Sequence, residues 1–438
     1  MAGLTGPITD AAEARARCEA LARAGEALVA RPVADVIEVL ASAVSRWADA
    51  DYAPRRDAER ALSAHHGVPS EAIARVLDAG FGAWSREALL GRVNVELGDA
   101  RALDGFVEMG GAFRTALGPR LAVALASRGV PTTPVGELID LLSVKSPVWL
   151  KPAAGADDLA LRFAATVREI DPGIGAAIQV AGWPRGSAAG AVALAAADLV
   201  VATGRAETLA ELGRQVREST RLVLHGPRLS AAILTREALA GDPAACVAAL
   251  ADDVAFAGQV GCLSPVVAWV EGAGAGESGE ALARAVHGAC EERWPARPRT
   301  EADAAERAAW AEWSARARVK RAGGAGGGVV GGAQSGWSVA WWPEPAPPSP
   351  PPAPRILYLS AVESADVAVR LCASARGMLS SVGIAGPPAR VRDCSALLAR
   401  AGVERIAPLG RMQRPPADWR RDGRATIADL VRWVDREG

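Results

Sequence analysis

Short apolar runs that alternate with helical stretches are the feature that most constrains the fold of this chain. From about residue 120, the runs "PVWLK", "GAAIQVA", "DLVVATG" and "RLVLHG" are separated by stretches such as "AETLAELGRQVRES", in which apolar residues recur at helical spacing. Strands that are joined through helices pair in parallel, because the crossover brings the chain back to the same end of the sheet. The pattern therefore predicts an α/β protein with a mainly parallel sheet.

The same patterns predict where the domains begin and end. Residues 1–120 are rich in Ala, Leu, Arg and Glu with helical periodicity, which indicates a helical N-terminal region. The alternating strands and helices predict that 121–250 completes this first domain and that 251–400 forms a second α/β domain.

Two segments depart from the alternating pattern. Glycine and proline dominate residues 322–354, and this composition predicts a long loop or a flexible insertion that is not regular structure throughout. Residues 401–438 are predicted as a C-terminal segment that packs back on the second domain and ends in a helix over "TIADLVRWVDRE".

Composition excludes several classes of function. The 49 basic and 50 acidic side chains nearly cancel, so no overall field favours nucleic acid or an anionic membrane surface. No apolar run is long enough to span a bilayer and no secretory pattern opens the chain, which predicts a cytoplasmic protein without an integral membrane segment. The six cysteines form no C-x-x-C pair and the four histidines lack ligand spacing, so reduced thiols and no metal site are predicted.

Two stretches fit the dinucleotide-binding pattern G-x-G-x-x-G, but neither has a convincing context. The stretch at 326–331 lies in the Gly-rich segment without a preceding strand. The stretch at 274–279 follows an apolar run and precedes a helix, yet Glu277 and Glu280 would repel a phosphate at that helix start. A plain surface loop is the alternative interpretation of 274–279.

One cysteine stands out by its surroundings. Cys262 lies in the stretch "FAGQVGCLSP", between small residues and a Ser-Pro pair. A lone cysteine is more often a small buried hydrophobe than a nucleophile. The order of elements favours a nucleophile here: one strand ends in "VWLKPA", another ends in "VVATG", and the cysteine stretch follows about 60 residues later.

This order resembles the aldehyde dehydrogenase superfamily, and in particular its LuxC-type acyl-CoA reductase branch. The tail "GVERIAPLGRMQRPPADWRRDGRATIADLVRWVDRE" is similar to the C-terminal segment of those reductases and is the most specific match. The resemblance implies a modified Rossmann cofactor domain for NADPH beside an α/β catalytic domain. It also implies reduction of an acyl-CoA or acyl-carrier thioester to an aldehyde through a cysteine acyl-enzyme, and a possible homo-oligomer.

The resemblance also implies roles for individual residues. Cys262 would be the nucleophile, Lys151 would bind the adenosine ribose or a 2′-phosphate, and Thr203 with Gly204 would line the cofactor pyrophosphate. A lysine that only reaches solvent from a strand end, and an ordinary strand-to-helix turn, are the plainer alternatives for these cofactor residues.

The chain departs from the superfamily at two positions. Where hydrolytic members carry a water-activating glutamate, this chain has His225, which would instead protonate the departing CoA or the nascent alkoxide, or be structural. Where an oxyanion-binding Asn is common, it has Gly129, so either a backbone amide substitutes or catalysis is weak. A catalytically silent relative that binds an acyl carrier or biosynthetic partner is therefore the alternative hypothesis.

The motif W-x-x-D-G in the tail has two interpretations. Trp419, Asp422 and Gly423 would shape the acyl tunnel or its lid, or they form a packed indole and a turn.

Overall fold

The structure, a computed structural model, describes residues 7–153, 158–272, 277–324 and 326–437. The chain forms two compact units. The first unit comprises Met1–Ala61, Val76–Pro227 and Pro416–Gly438, and the second comprises Leu62–Arg75 and Arg228–Pro415.

The helices and strands alternate along most of the chain. The α-helices are α1 (Ala11–Val29), α2 (Val33–Ala48), α3 (Ala53–His66), α4 (Ser70–Phe81), α5 (Arg86–Leu97), α6 (Thr133–Ser143), α7 (Leu159–Ile170), α8 (Pro172–Ala176), α9 (Ala188–Ala196), α10 (Ala206–Gln215), α11 (Arg236–Gly241), α12 (Pro243–Ala255), α13 (Glu277–Arg293), α14 (Ala304–Ala322), α15 (Ala365–Ala373) and α16 (Pro388–Ala401). The β-strands are β1 (Val107–Met109), β2 (Ala112–Leu117), β3 (Ala122–Leu125), β4 (Val148–Lys151), β5 (Ile178–Val180), β6 (Leu199–Thr203), β7 (Arg221–His225), β8 (Leu229–Leu234), β9 (Pro265–Glu271), β10 (Gly328–Val330), β11 (Ser338–Trp342), β12 (Ile356–Val362), β13 (Leu379–Ala385), β14 (Arg405–Pro408) and β15 (Arg432–Arg436).

The first unit is built on a parallel sheet with the strand order β5-β4-β3-β6-β7. Its central strands are apolar throughout because both faces of a parallel sheet are covered by helices. Val123, Trp149 and Val200 are fully buried in the core on one face. The chain reverses its direction of strand addition between β3 and β6, so the carboxyl ends of these two strands flank the crevice where such sheets bind ligands.

The N-terminal region is helical, as the sequence predicts. The α1 helix begins at its cap Asp10, whose carboxylate accepts a hydrogen bond from the Glu13 amide at 2.8 Å. In α2 the apolar residues at helical spacing are buried, and Trp47 stacks on Phe81 with the ring centroids 5.4 Å apart. The α/β architecture and the helical N-terminal region are thus confirmed.

The second unit contains a seven-stranded sheet with the order β10-β11-β12-β9-β8-β13-β14. All neighbours pair in parallel except β10 with β11. The boundary between the two units differs from the predicted domain boundary at residue 250. The strand β8 pairs with β9 and β13, so the division falls between Pro227 and Arg228 and not at residue 250.

The C-terminal segment 401–438 is divided between the two units. Its strand β14 completes the sheet of the second unit, whereas Pro416–Gly438 belongs to the first unit. The predicted final helix is wrong, because Arg432–Arg436 forms β15 and pairs antiparallel with β2. Long-range pairing of this edge strand outweighs the local helical spacing of the apolar residues.

The Gly/Pro-rich stretch 322–354 contains regular structure, contrary to the prediction. The strands β10 and β11 lie within it, and every residue of β11 is buried, including Trp341 and Trp342. In the proline-rich part, the Ala346 amide donates to the Ser360 hydroxyl at 2.9 Å and the Ala346 carbonyl accepts from the Trp269 indole at 2.9 Å. Large aromatic side chains between the glycines and prolines supply the burial that the composition alone does not predict.

Neither G-x-G-x-x-G stretch forms a phosphate-binding turn in the residues described. Gly274 and Gly276 lie outside the described residues. Gly279 is buried near the start of α13, where a Cβ atom would overlap the Trp341 indole. Gly328 opens β10, so the stretch 326–331 leads into a strand and not into a helix. Packing therefore explains the glycine at 279.

No helix in the described parts of the chain is both long enough and apolar enough to cross a membrane.

Two glycines of α13 form a matched pair for testing this packing. Gly279→Ala should lower the free energy of unfolding by about 1–3 kcal/mol, because the new methyl group meets the Trp341 indole. Gly288→Ala in the same helix has no heavy atom within 4 Å of the added carbon. It should be neutral or stabilising by up to about 1 kcal/mol. Denaturant titrations of both variants measure the difference, and equal effects would contradict the packing argument.

Candidate active site

The cysteine loop lies in the second unit and has an unusual backbone. Ala257, Gly258 and Gln259 are consecutive residues in the left-handed region, with φ angles of 50°, 68° and 66°. Two of the three are not glycine, and such residues adopt this conformation only where surrounding contacts enforce it. At Gly258 a Cβ atom would come within 3.0 Å of the Trp294 indole nitrogen, so this position has no room for a side chain.

The side chain of Gln259 supplies the enforcing contacts. Its Nε2 donates to the carbonyls of Pro265 at 2.9 Å and Ile356 at 3.0 Å, and its Oε1 accepts from the Ile356 amide at 2.9 Å. Pro265 and Ile356 are the first residues of β9 and β12. The Ser230 hydroxyl near the start of β8 donates to the Cys262 carbonyl at 2.6 Å. The loop is therefore fixed to the amino ends of three neighbouring strands.

The C-terminal stretch after β14 supports the other side of this loop. The Asp253 carboxylate at the end of α12 accepts from the amides of Gly410 at 2.6 Å and Met412 at 2.9 Å. Gln413 donates through Nε2 to the Asp253 carbonyl at 2.6 Å and to the Ser264 hydroxyl at 3.2 Å. Burial raises the pKa of Asp253 to about 7, although the amides that point at the carboxylate oppose the shift.

Cys262 differs from the other cysteines in its exposure. It is half-buried, whereas the other five are buried. Burial raises the pKa of each buried thiol: to about 11 for Cys18, to about 12 for Cys290 and Cys372, and above the usual value for Cys246 and Cys394. Since the thiolate is the nucleophile, these five are poor candidates and Cys262 is the suitable one.

Four other predicted site residues share one edge of the sheet in the first unit. Lys151 ends β4, Thr203 ends β6 and His225 ends β7, and Gly204 follows Thr203. Thr203 and His225 are register partners, and the Gly204 amide donates to the His225 carbonyl at 3.1 Å. These positions lie at the carboxyl ends of the parallel strands, where ligands bind in sheets of this kind.

The surroundings of Lys151 are partly apolar. Its Nζ lies 5.7 Å from the centroid of the Trp183 ring, and burial lowers the pKa of the ammonium group. Gly129 follows β3 at the same edge, with no heavy atom within 4 Å of the position where a Cβ would stand. The position is open, so the absence of an Asn side chain at Gly129 has no steric cause.

His225 is paired with a carboxylate of the C-terminal segment. Its Nδ1 lies 2.5 Å from the Asp422 Oδ2, and the side chains of His225 and Asp422 are 12% and 5% exposed. Burial lowers the pKa of His225, while the Asp422 carboxylate opposes this shift. The sequence motif that contains Asp422 did not predict this contact.

A second buried carboxyl group, missed by the sequence reasoning, lies beside Thr203. Arg421 donates to the Thr203 hydroxyl at 3.1 Å and approaches the Glu137 Oε1 to 3.6 Å. The Glu137 Oε2 is buried without a hydrogen-bond partner among the described residues. Burial raises the pKa of Glu137 to about 7, against the effect of Arg421. The sequence signal that could have indicated this group is the position of Glu137 inside the apolar run "VGELIDLL".

The side chains of Glu137, His225 and Arg421 line a common cavity of about 50 Å³. This space is enough for a few water molecules, and the lining offers them polar partners. The arrangement at this edge of the sheet can therefore hold and move protons.

Comparisons with known proteins identify the family and the fold. A family model described as "Acyl-CoA reductase (LuxC)" matches residues 28–433. A search of curated proteins gave no significant match.

Solved structures are similar over nearly the whole chain. An NAD-dependent benzaldehyde dehydrogenase from Corynebacterium glutamicum is 14% identical with a TM-score of 0.69, covering 98% of this chain and 91% of that one. An NADP-dependent glyceraldehyde-3-phosphate dehydrogenase from Bacillus halodurans C-125, complexed with NADP, is also 14% identical with a TM-score of 0.69, covering 98% of this chain and 91% of that one. Aldehyde dehydrogenase C from Pseudomonas syringae, in complex with NAD+ and octanal, is 13% identical with a TM-score of 0.69 and coverages of 97% and 89%. At these identities the similarity confirms the aldehyde dehydrogenase-like fold.

The difference in exposure among the thiols predicts their reactivity. Brief treatment with iodoacetamide near neutral pH should alkylate Cys262 at least about tenfold faster than any other cysteine, because the others are buried and have raised pKa values. Peptide mapping by mass spectrometry measures the order of labelling. Faster labelling of Cys18 or Cys246 would contradict the assignment.

The raised pKa of Glu137 predicts a pH-dependent cost to stability. The folded protein keeps this proton up to about pH 7, whereas the unfolded chain releases it near the ordinary glutamate pKa of 4.5. The contribution of Glu137 to stability therefore falls as the pH rises between these values. Compared with Glu137→Gln, the native protein should lose about 3 kcal/mol of unfolding free energy between acidic and mildly basic buffer. Denaturant titrations measure this difference.

Glu207→Gln is the control, because Glu207 is exposed on α10. It should show no such dependence on pH. If the stability difference between the native protein and Glu137→Gln is constant with pH, the burial argument for Glu137 is wrong.

Proposed function

Because the chain belongs to the acyl-CoA reductase (LuxC) family, we propose that it reduces an acyl-CoA thioester to an aldehyde, with Cys262 as the nucleophile and NADPH as the reductant. The observation that carries this proposal is the cysteine loop. Cys262 is the half-buried thiol among six, and its loop is fixed to the amino ends of three strands by Gln259 and Ser230. A nucleophile needs this combination of access and fixed position.

The proposed reaction has two halves. The Cys262 sulfur attacks the thioester carbonyl, a new carbon–sulfur bond forms, and the bond to the CoA sulfur breaks. NADPH, when bound, supplies the hydride that reduces the resulting Cys262 thioester. Collapse of the reduced adduct then releases the aldehyde and returns the thiol.

The residues at the sheet edge of the first unit are proposed to serve the cofactor and the proton. Lys151 would bind the ribose hydroxyls or a 2′-phosphate, and Thr203 with Gly204 would line the pyrophosphate before α10. Their shared position at the carboxyl ends of β4 and β6 supports this proposal. His225 would protonate the departing CoA. A histidine in place of a water-activating glutamate suits a reductase, because activated water would hydrolyse the acyl-enzyme before the hydride arrives.

The identity of the acyl donor, the cellular location and the oligomeric state are also proposals. Acyl-CoA is the proposed donor, and an acyl-carrier thioester would meet the same chemistry at Cys262. A cytoplasmic location and a homo-oligomer are likewise proposed from the family.

Replacing the nucleophile tests the proposed reaction. Cys262→Ala should abolish acyl-CoA-dependent oxidation of NADPH, followed by the loss of NADPH absorbance, and should leave the far-UV circular dichroism spectrum unchanged. Cys246→Ala is the matched control, because it removes a buried thiol from α12 and should retain turnover. Undiminished turnover by Cys262→Ala would sink the mechanism.

Radiolabelled acyl-CoA separates the enzyme from the silent alternative. The native protein without NADPH should take up label on Cys262, and the label should leave as aldehyde when NADPH is added. A native protein that takes up no label from either acyl-CoA or an acyl carrier would favour the binding or scaffold function.

A further inference from the structure

The turn that carries Asp422 is firmly anchored. Asp422 has a φ angle of 56°, in the left-handed region where Asp and Asn are enriched among residues other than glycine. The segment after it is held by the Glu96 carboxylate, which accepts hydrogen bonds from the amides of Thr426 at 3.1 Å, Ile427 at 2.6 Å and Ala428 at 3.0 Å. Arg221 of β7 donates to the Val431 carbonyl at 2.7 Å. Two anchors thus hold the turn beside the end of β7.

This turn places one carboxylate against one imidazole. The contact present is the hydrogen bond to the Nδ1 of His225, with both side chains largely buried. A carboxylate accepts and cannot donate, so Nδ1 carries the proton of this pair.

We propose that Asp422 is a positioning residue for His225, which fixes the tautomer with the proton on Nδ1 and leaves Nε2 as the nitrogen that transfers protons. This inference rests on the proposed function, because it deepens the role proposed there for His225. The C-terminal segment then has a functional role beside its structural one, because its Asp422 orients His225. The pairing of a carboxylate with Nδ1 also stabilises the imidazolium that forms when Nε2 takes up a proton.

The charges around His225 agree with a neutral imidazole that is ready to accept a proton. They come from Asp422, Arg421, Arg424 and Asp429 of the C-terminal segment, and from Glu137 and Asp140 of α6. Burial and the two arginines lower the pKa of His225, and Asp422 raises it. The ring is therefore held unprotonated at neutral pH but next to a carboxylate that favours transient protonation.

The first half-reaction is neutral in protons. The Cys262 thiol loses one proton as its sulfur bonds to the carbonyl carbon, and the CoA sulfur gains one as its carbon–sulfur bond breaks. In the role proposed for His225, Nε2 gives up a proton that it has taken up before, and Asp422 at Nδ1 stabilises the imidazolium in between.

Asp422→Asn removes the charge and keeps the turn, because Asn tolerates the left-handed region. We expect kcat for acyl-CoA reduction to fall by about 10- to 100-fold with the thermal midpoint nearly unchanged. The pH limb that reports His225 should move to lower pH, since the carboxylate that raised its pKa is gone. Asp435→Asn, which removes an exposed carboxylate paired with Arg114 in the same segment, should stay within about twofold of the native kcat.

Nitrogen NMR of the histidine rings tests the tautomer itself. With four histidines in the chain, His225→Gln assigns the His225 signals. The native ring should show the proton on Nδ1, and Asp422→Asn should lose this single tautomer while Asp435→Asn keeps it. An unchanged tautomer and an unchanged pH profile in Asp422→Asn would overturn the inference.

The two readouts separate this inference from the proposed function. If the native protein forms no acyl-enzyme, the proposed function fails, and the NMR result still decides whether Asp422 fixes the His225 tautomer. If the acyl-enzyme forms and Asp422→Asn turns over like Asp435→Asn, the positioning role fails and the function of Cys262 stands.

Discussion

The buried amide of Gln259 is the interaction on which the cysteine loop depends. It satisfies the first carbonyl and amide of β12 and the first carbonyl of β9 at once, with three hydrogen bonds of about 2.9–3.0 Å. Each of these buried backbone groups gains a hydrogen-bond partner in Gln259, and a buried group that is left without a partner costs about 1–3 kcal/mol. All three bonds need a side chain with both a donor and an acceptor. A glutamate would lose both donor bonds, and an apolar residue would lose all three bonds.

This clamp also explains why the loop tolerates a strained backbone. The left-handed conformations of Ala257 and Gln259 each carry a free-energy cost, and the hydrogen bonds of the Gln259 side chain offset it. The result is a cysteine whose carbonyl is fixed by Ser230 while its thiol remains partly accessible. The backbone carbonyl of Cys262 thus fixes the position of the residue, and the residue itself stays half-buried.

Much of the fold and part of the site could be predicted because the signals are local. Lys151, Thr203 and His225 each end an apolar run, and the ends of parallel strands must meet at one edge. The strand β15 could not be predicted, because its pairing with β2 joins residues far apart in the chain and overrides a helical pattern. The division after Pro227 was missed for a similar reason: β8 is apolar throughout, and nothing local tells which sheet it joins. The contact of His225 with Asp422 is likewise long-range.

The buried groups at the end of β7 are best considered as one titrating cluster. Arg421 and Asp422 carry opposite charges, and Glu137 has a pKa raised to about 7 while that of His225 is lowered. These shifts reverse the usual order of a carboxyl and an imidazole, and both side chains line the same cavity. In a medium of low polarity, a proton gained by His225 is therefore most easily accommodated if Glu137 gives one up. Such exchange keeps the total charge of the cluster constant, so the protein can move a proton at this position without burying an additional charge.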